Sequence, residues 1–206
     1  MCIRDSFNPL LISIIVISLI LTIADIPYDD YNKGGALISF FIGPATVALM
    51  ISLYDNIDIL KKNFAPIMVG IIVGSFVSMF LSVILAKMLN LDDTMTITLL
   101  PESVTTAIAM GLSREYGGIV ALSAVAVIIR GIVGIIIAPI VIRLFNVYDP
   151  VAQGVGLGTV AHALGASKAR DMGEVQEAMS GPSIAVAGIV TIGLMPLAIL
   201  FINLIK

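Results

Sequence analysis

Val151–Ser167 reads VAQGVGLGTVAHALGAS, and an earlier stretch, Ile97–Ser113, reads ITLLPESVTTAIAMGLS. Neither is a plain hydrophobic span. Pro101, Glu102, Ser103, Thr105 and Thr106 interrupt the earlier one. Gly154, Gly156, Gly158, Gly165 and the single histidine, His162, interrupt the later one. Long apolar runs flank both. Phe64–Met88 is the cleanest, with Gly70 and Gly74 at a spacing that lets helices pack closely. Gly117–Phe145 carries Arg130 near its middle and ends at Asp149-Pro150, and Ala178–Ile205 closes the chain with Pro182 and Pro196 inside it. Upstream lie a run from Phe7 or Leu10 to Ala24 and another over Gly35–Leu53, which Gly43-Pro44 should kink. Asp25–Gly34, Tyr54–Asn63, Asn90–Thr96 and Lys168–Glu177 read as polar or charged connectors.

A membrane-spanning helix needs about 20 predominantly apolar residues. The pattern therefore predicts an all-α integral membrane protein, a polytopic bundle of about five full spans plus two broken or re-entrant helical segments. Composition agrees. Of 206 residues, 59% are hydrophobic and only 12% charged, roughly half the usual charged share of about 25% in soluble domains. The mean hydropathy is +1.10. A soluble enzyme would have to hide this surface in one core, whereas lipid accepts it directly.

The net charge of -3 and the lack of a basic run longer than Lys61-Lys62 argue against a nucleic-acid partner. A single cysteine, Cys2, rules out an intrachain disulfide and a cysteine-based metal site. No cofactor is expected. Met1–Ser6 is polar, runs abruptly into the first apolar stretch and makes a poor signal peptide. It reads as a non-native remnant ahead of a single transmembrane domain over 7–206.

The two broken segments resemble each other. Thr105-Thr-Ala-Ile-Ala-Met-Gly-Leu-Ser-Arg aligns with Thr159-Val-Ala-His-Ala-Leu-Gly-Ala-Ser-Lys, and a long span follows each. Shared Thr and Ser are not what hydrophobicity alone would repeat, so an internal duplication is expected, as in secondary transporters. Segments that dip and return would give inverted repeats; segments that cross would give parallel ones. Basic residues do not decide orientation, although both arrangements put Lys61-Lys62 and Lys168/Arg170 on one face, assigned to the cytoplasm.

Irregular backbone survives in hydrocarbon only where protein shields it or it lines water. The polar breaks are thus the expected substrate site. Thr105, Thr106 and Thr159 are placed to bind a small anion with freed amides at helix N-termini, and Ser103 and Ser167 belong to the same segments. The alternative is that these hydroxyls bond back to a carbonyl one turn earlier. His162 could donate to a carboxylate, or could tie two helices together. Arg130 should face the interior, paired with a substrate carboxylate or with Glu102; as a first-turn acid, Glu102 also has an ordinary structural explanation. Gly156-x-Gly158-x-x-Ala161 lacks the βαβ surroundings of a dinucleotide site, and Ser167 with His162 makes no arguable hydrolase pair.

On these residues the chain resembles the LrgB/CidB family. The carrying blocks are Ile26-Pro-Tyr with Gly34-Gly35, Gly43-Pro44-Ala-Thr46 through Leu53-Tyr54, Leu100-Pro101-x-Ser103-Val-Thr105-Thr106, and Asp149-Pro150-Val-Ala-x-Gly154. Gly156-Leu-Gly158-Thr159-x-x-His162-x-x-Gly165, Gly173-Glu174-Val and the Ser180 region complete them. The resemblance implies an additional N-terminal helix, a multi-pass protein of the bacterial inner membrane, and a small LrgA/CidA-like membrane partner in a homo- or hetero-oligomer. It also implies a basic or amide residue at position 102 and an uncharged polar one at 130, so Glu102 and Arg130 are departures. Two functions follow as expectations. The first is a carrier or facilitator of small monocarboxylates of the pyruvate, lactate or glycolate class. The other is an antiholin-like modulator of murein hydrolase activity and autolysis.

Overall fold

The computed structural model describes residues 9–41, 44, 54 and 57–204, and among them there are helices and short links but no strand. The chain divides into two units, residues 1–45 and 46–206. In the first, α1 (Pro9–Ile23) is a 15-residue helix with apolar side chains exposed along it. A turn at Asp25, with φ 50°, leads to α2 (Tyr28–Phe40). The polar stretch expected as a connector over 25–34 is therefore mostly helix. Asp29 and Asp30 occupy its first turn, where carboxylates complement the helix dipole, and the Pro27 carbonyl accepts from the Asp30 and Tyr31 amides. Most of the span expected over 35–53 lies outside the described residues.

The second unit contains α3 (Ile57–Lys62), α4 (Phe64–Met88), α5 (Asp93–Leu99), α6 (Thr106–Tyr116), α7 (Val120–Leu144), α8 (Pro150–Met172) and α9 (Glu174–Leu204). Three of these, α4, α7 and α9, are long and apolar enough to cross a membrane. Their outward faces remain apolar. Val69, Ile72, Val73 and Phe76 of α4 and Ile129, Val133, Ile136 and Ile140 of α7 are exposed, as side chains facing lipid should be. The buried face of α4 runs Ile67, Ile71, Ser75, Met79, Ser82, Val83 and Ala86 at helical spacing.

Two packed clusters fix how α4 and α9 run. Ile67 and Ile71, early in α4, cluster with Met179 and Ala187, early in α9, and with Val155 of α8. Met79 and Val83, late in α4, cluster with Met195, Ala198 and Ile202, late in α9, and with Leu100 and Leu112 around the α5–α6 break. The two helices therefore point the same way, with one broken segment packed at each end of the pair.

The α5–α6 segment turns back on itself. Asp92 caps α5 by accepting from the Met95 amide. Residues 100–105 interrupt the helix, and α6 stops at Gly117, whose φ of 83° suits glycine. The next residue, Gly118, lies so close to Thr98 that a β-carbon there would sit 3.2 Å from the Thr98 Cα. The Thr98 hydroxyl accepts from the Ile119 amide at 2.8 Å and donates to the Thr94 carbonyl at 2.7 Å. Thr98 is fully buried. Thr98→Val keeps the shape but orphans the Ile119 amide, and should cost about 1–3 kcal/mol. Thermal unfolding in detergent reads this, and an unchanged midpoint would show that water replaces the hydroxyl.

The later segment folds more sharply. Pro150 occupies the first turn of α8 and Asp149 caps it, accepting from the Ala152 amide at 3.0 Å. At His162 the backbone leaves the helix, with φ 39° and ψ −127°. A β-carbon on Gly165 would collide with the carbonyl oxygen of Leu157. In an unbroken helix eight residues rise about 12 Å, so the two arms of α8 lie against each other. The first arm also presses on α9, where a β-carbon on Gly158 would strike the Ser180 carbonyl and one on Gly154 would lie 2.5 Å from that of Gln176.

Candidate functional site

Both breaks meet the middle of α7. Val127 packs with Val104, inside the first break, and with Ala109, in the first turn after it. Its carbonyl lies 3.1 Å from Nε2 of His162, at the second. One turn on, Arg130 reaches both. Its Nη1 donates to Oε1 of Glu102 at 2.6 Å, and its Nε donates to the Val160 carbonyl at 3.3 Å, just ahead of the bend in α8. The Ser82 hydroxyl of α4 lies 2.9 Å from the same Glu102 oxygen and 3.0 Å from the Ser78 carbonyl, and its one proton is shared between the two acceptors. Both charged side chains are 22% exposed.

The sequence dictates this meeting in part. Arg130 sits mid-helix among aliphatic residues, so its guanidinium must find a partner. Glycines on α7 admit α8: a β-carbon on Gly131 would lie 2.8 Å from the His162 ring, and one on Gly134 would lie 2.9 Å from Ala161 Cβ. His162 is buried. His162→Ala removes the Nε2 that partners the Val127 carbonyl and leaves a void at the bend, so it should destabilise the protein by about 2 kcal/mol. A denaturation midpoint unmoved by the substitution would show that the bend does not depend on the ring.

Arg130 pairs with Glu102, one of the two partners expected for it, and the two departures noted above are thus bonded to each other. His162 lies against α7 beside them. Thr105 is the N-cap of α6, yet its hydroxyl makes no cap bond, and its oxygen is buried without a partner. Ser103 is buried and Thr106, the first residue of α6, is half-buried. Thr159 is different, because its hydroxyl donates to the Val155 carbonyl, the back-bond open to any helical threonine. Its methyl faces Gly74 of α4. Ser167 is exposed on the returning arm of α8 and joins none of these groups.

Ser82 and the carbonyls of Val127 and Val160 were not anticipated. Ser75, Ser78 and Ser82 recur at helical spacing within an otherwise apolar helix, a signal that could have found Ser82. No side chain announces a carbonyl. Beside Arg130, between α7 and α8, lies a cavity of about 460 Å³ whose wall includes Val133, Gly134, Ile137, Leu157 and Ala161. A second, of about 320 Å³, lies between α4 and α8 along Gly70, Gly74, Gly156 and Thr159.

These features define a helical membrane protein whose broken helices converge on one spanning helix. Comparison with known proteins gives its family. The sequence model of the LrgB-like family matches residues 3–201, and the chain belongs to that family. Antiholin-like protein LrgB of Bacillus mycoides (strain KBAB4) and that of Bacillus cereus (strain B4264) are each 38% identical to it over 197 residues. The alignments cover 96% of this chain and 86% of each relative. The protein of the same name from Bacillus anthracis (strain CDC 684 / NRRL 3495) matches equally well. No solved structure matches significantly.

Proposed function

We propose that this chain is an antiholin-like modulator of murein hydrolase activity and autolysis. It acts as a multi-pass protein of the bacterial cytoplasmic membrane, in an oligomer with a small LrgA-like membrane partner. What supports this most directly is the 38% identity, over 96% of the chain, to proteins named antiholin-like. The reading is tested in a Bacillus cereus strain whose own relative has been deleted. Expressing this chain with its partner should restore the parental autolysis rate and hydrolase profile. Rates equal to those of an empty-vector control remove the reading.

A second reading, a carrier of small monocarboxylates of the pyruvate, lactate or glycolate class, is favoured by the meeting of both breaks at Arg130. On this reading the breaks are tips of two re-entrant hairpins that enter from opposite faces. Arg130, His162 and Thr105 form the binding site, with Ser103 and Thr106 beside them, and Thr159 and Ser167 line the approach. In support, the Gly118–Thr98 and Gly165–Leu157 approaches are those of doubled-back segments. Each hairpin precedes a spanning helix, α7 or α9, and these would run in opposite directions as an inverted repeat requires. Vesicles holding the chain and its partner should take up labelled pyruvate, and Thr105→Ala and His162→Ala should each slow uptake at least tenfold. Absence of flux, or flux indifferent to both changes, eliminates the carrier. The two readings are compatible, because efflux of a metabolic acid alters membrane energetics and so lysis.

A further inference from the structure

Arg130 has five N–H donors, and only Nε and one Nη1 hydrogen are engaged. Nη2 has no protein partner among the described residues, and the guanidinium borders the 460 Å³ apolar cavity. Its one anionic partner among the described residues, Glu102, is a carboxylate tethered to the chain. A free carboxylate is the same ligand without the tether. We propose that Glu102 is the built-in occupant of an anion subsite on Arg130, that an organic monocarboxylate displaces it, and that Glu102 takes up one proton as it lets go. This deepens the carrier reading and rests on it.

The proton follows from what surrounds Glu102. Once Arg130 turns to a substrate, an ionised Glu102 would keep only the neutral Ser82 hydroxyl. Among the described residues Glu102 has no ion-pair partner besides Arg130. Along α4 the sole ionisable side chain is Lys87, held by Asp93 of α5 at 2.9 Å. Those of α6 are Arg114, Glu115 and Tyr116 in its last turn, and α9 has none after Glu177. On α8 the near titratable group is His162, held on the Val127 carbonyl. Burying a lone carboxylate there is costly, whereas a neutral acid keeps a hydrogen bond to Ser82. In the balanced step the Arg130–Glu102 ion pair breaks and an Arg130–substrate pair forms. One proton from the buffered solvent joins the Glu102 carboxylate, so the site is neutral before, as Arg130 cation with Glu102 anion, and neutral after, as Arg130 cation with substrate anion beside a protonated Glu102. The cavity walls Val133, Ile137 and Leu157 suit an apolar body, and a second carboxylate on the ligand would meet no second cation there, since the other polar side chain of the wall, Gln153, is neutral and bonded to the Val147 carbonyl and to Gln176.

Calorimetry on the purified full chain, with butyrate as the probe, tests this between about pH 6 and 8. Wild-type affinity should rise about tenfold for each pH unit lowered, with about one proton taken up per butyrate, and succinate should not bind. Glu102→Gln should bind butyrate more tightly at the upper pH and lose the pH dependence, whereas Arg130→Gln should not bind. Should either variant fail to fold, proton uptake by the wild type, measured in two buffers of different ionisation heat, still decides. Butyrate binding without proton uptake, or no binding at any pH, overturns the proposal. Proton-linked binding without flux in vesicles removes the carrier reading alone, and flux without proton-linked binding removes this inference alone.

Discussion

Arg130→Gln is expected to lower the free energy of unfolding by about 3–5 kcal/mol, and Glu102→Gln by a similar amount, while the double replacement should recover most of the loss. The single changes are costly because each removes the other group's counter-ion in a low-dielectric interior, so that group must be buried unpaired or be neutralised. The pair together adds far less, since desolvating two charges offsets most of their attraction. Each side chain is 22% exposed, which places the single effects toward the lower end of that range. Arg130 has a further duty: its Nε covers the Val160 carbonyl at the bend of α8, and a glutamine is too short to hold both partners. The double variant should therefore stay somewhat below the wild type. Denaturant titration of the four proteins in micelles gives the coupling energy directly. Additive single losses would mean that the two charges do not depend on each other and that the observed bond contributes little.

The parts of the fold that were legible in the sequence are those governed by one uniform property. Phe64–Met88 reads as a span and is α4 to the residue, because nothing charged interrupts it before Lys87. The two broken segments were recognised for the opposite reason, since glycine, proline and hydroxyls accumulate where lipid should forbid them. What escaped was set by short-range electrostatics or by distant packing. Asp29 and Asp30 look like loop residues until the helix they start is seen. The charged stretch 168–177 is largely helical too, and α9 begins at Glu174 rather than Ala178, with Glu174 and Glu177 in its first turn.

The site was legible in a similar, uneven way. Arg130 has to find a partner, and Glu102 is one of the two the sequence offers, but 28 residues separate them and only the folded breaks join them. The bend at His162 has no local signature. Histidine does not favour φ 39°, and its position in the bend reflects the Val127 carbonyl and the space over Gly131. The glycines of α8 read naturally as helix-weakening residues. Three of them instead mark where another backbone comes within contact.

This last distinction gives the second large expectation. Gly158→Ala and Gly165→Ala should each destabilise the protein by about 3 kcal/mol or more, whereas Gly156→Ala should be neutral or slightly stabilising. All three glycines lie in α8, so intrinsic helix propensity predicts the same small gain from each. Packing separates them. The added methyl at 156 would meet nothing within 4 Å. At 158 it would strike the Ser180 carbonyl of α9, and at 165 the Leu157 carbonyl of the opposite arm. Neither obstacle is a side-chain tip that can swing aside, so relief requires moving a helix. At 158 the arm would lift from α9. At 165 the V of α8 would open, drawing His162 from Val127 and Val160 from Arg130. Gly165→Ala should therefore also loosen the bend, read as faster hydrogen exchange across 157–165, while Gly158→Ala should affect α8 and α9 together. Equal effects from all three substitutions would mean that α8 is a continuous helix and that the two arms do not touch.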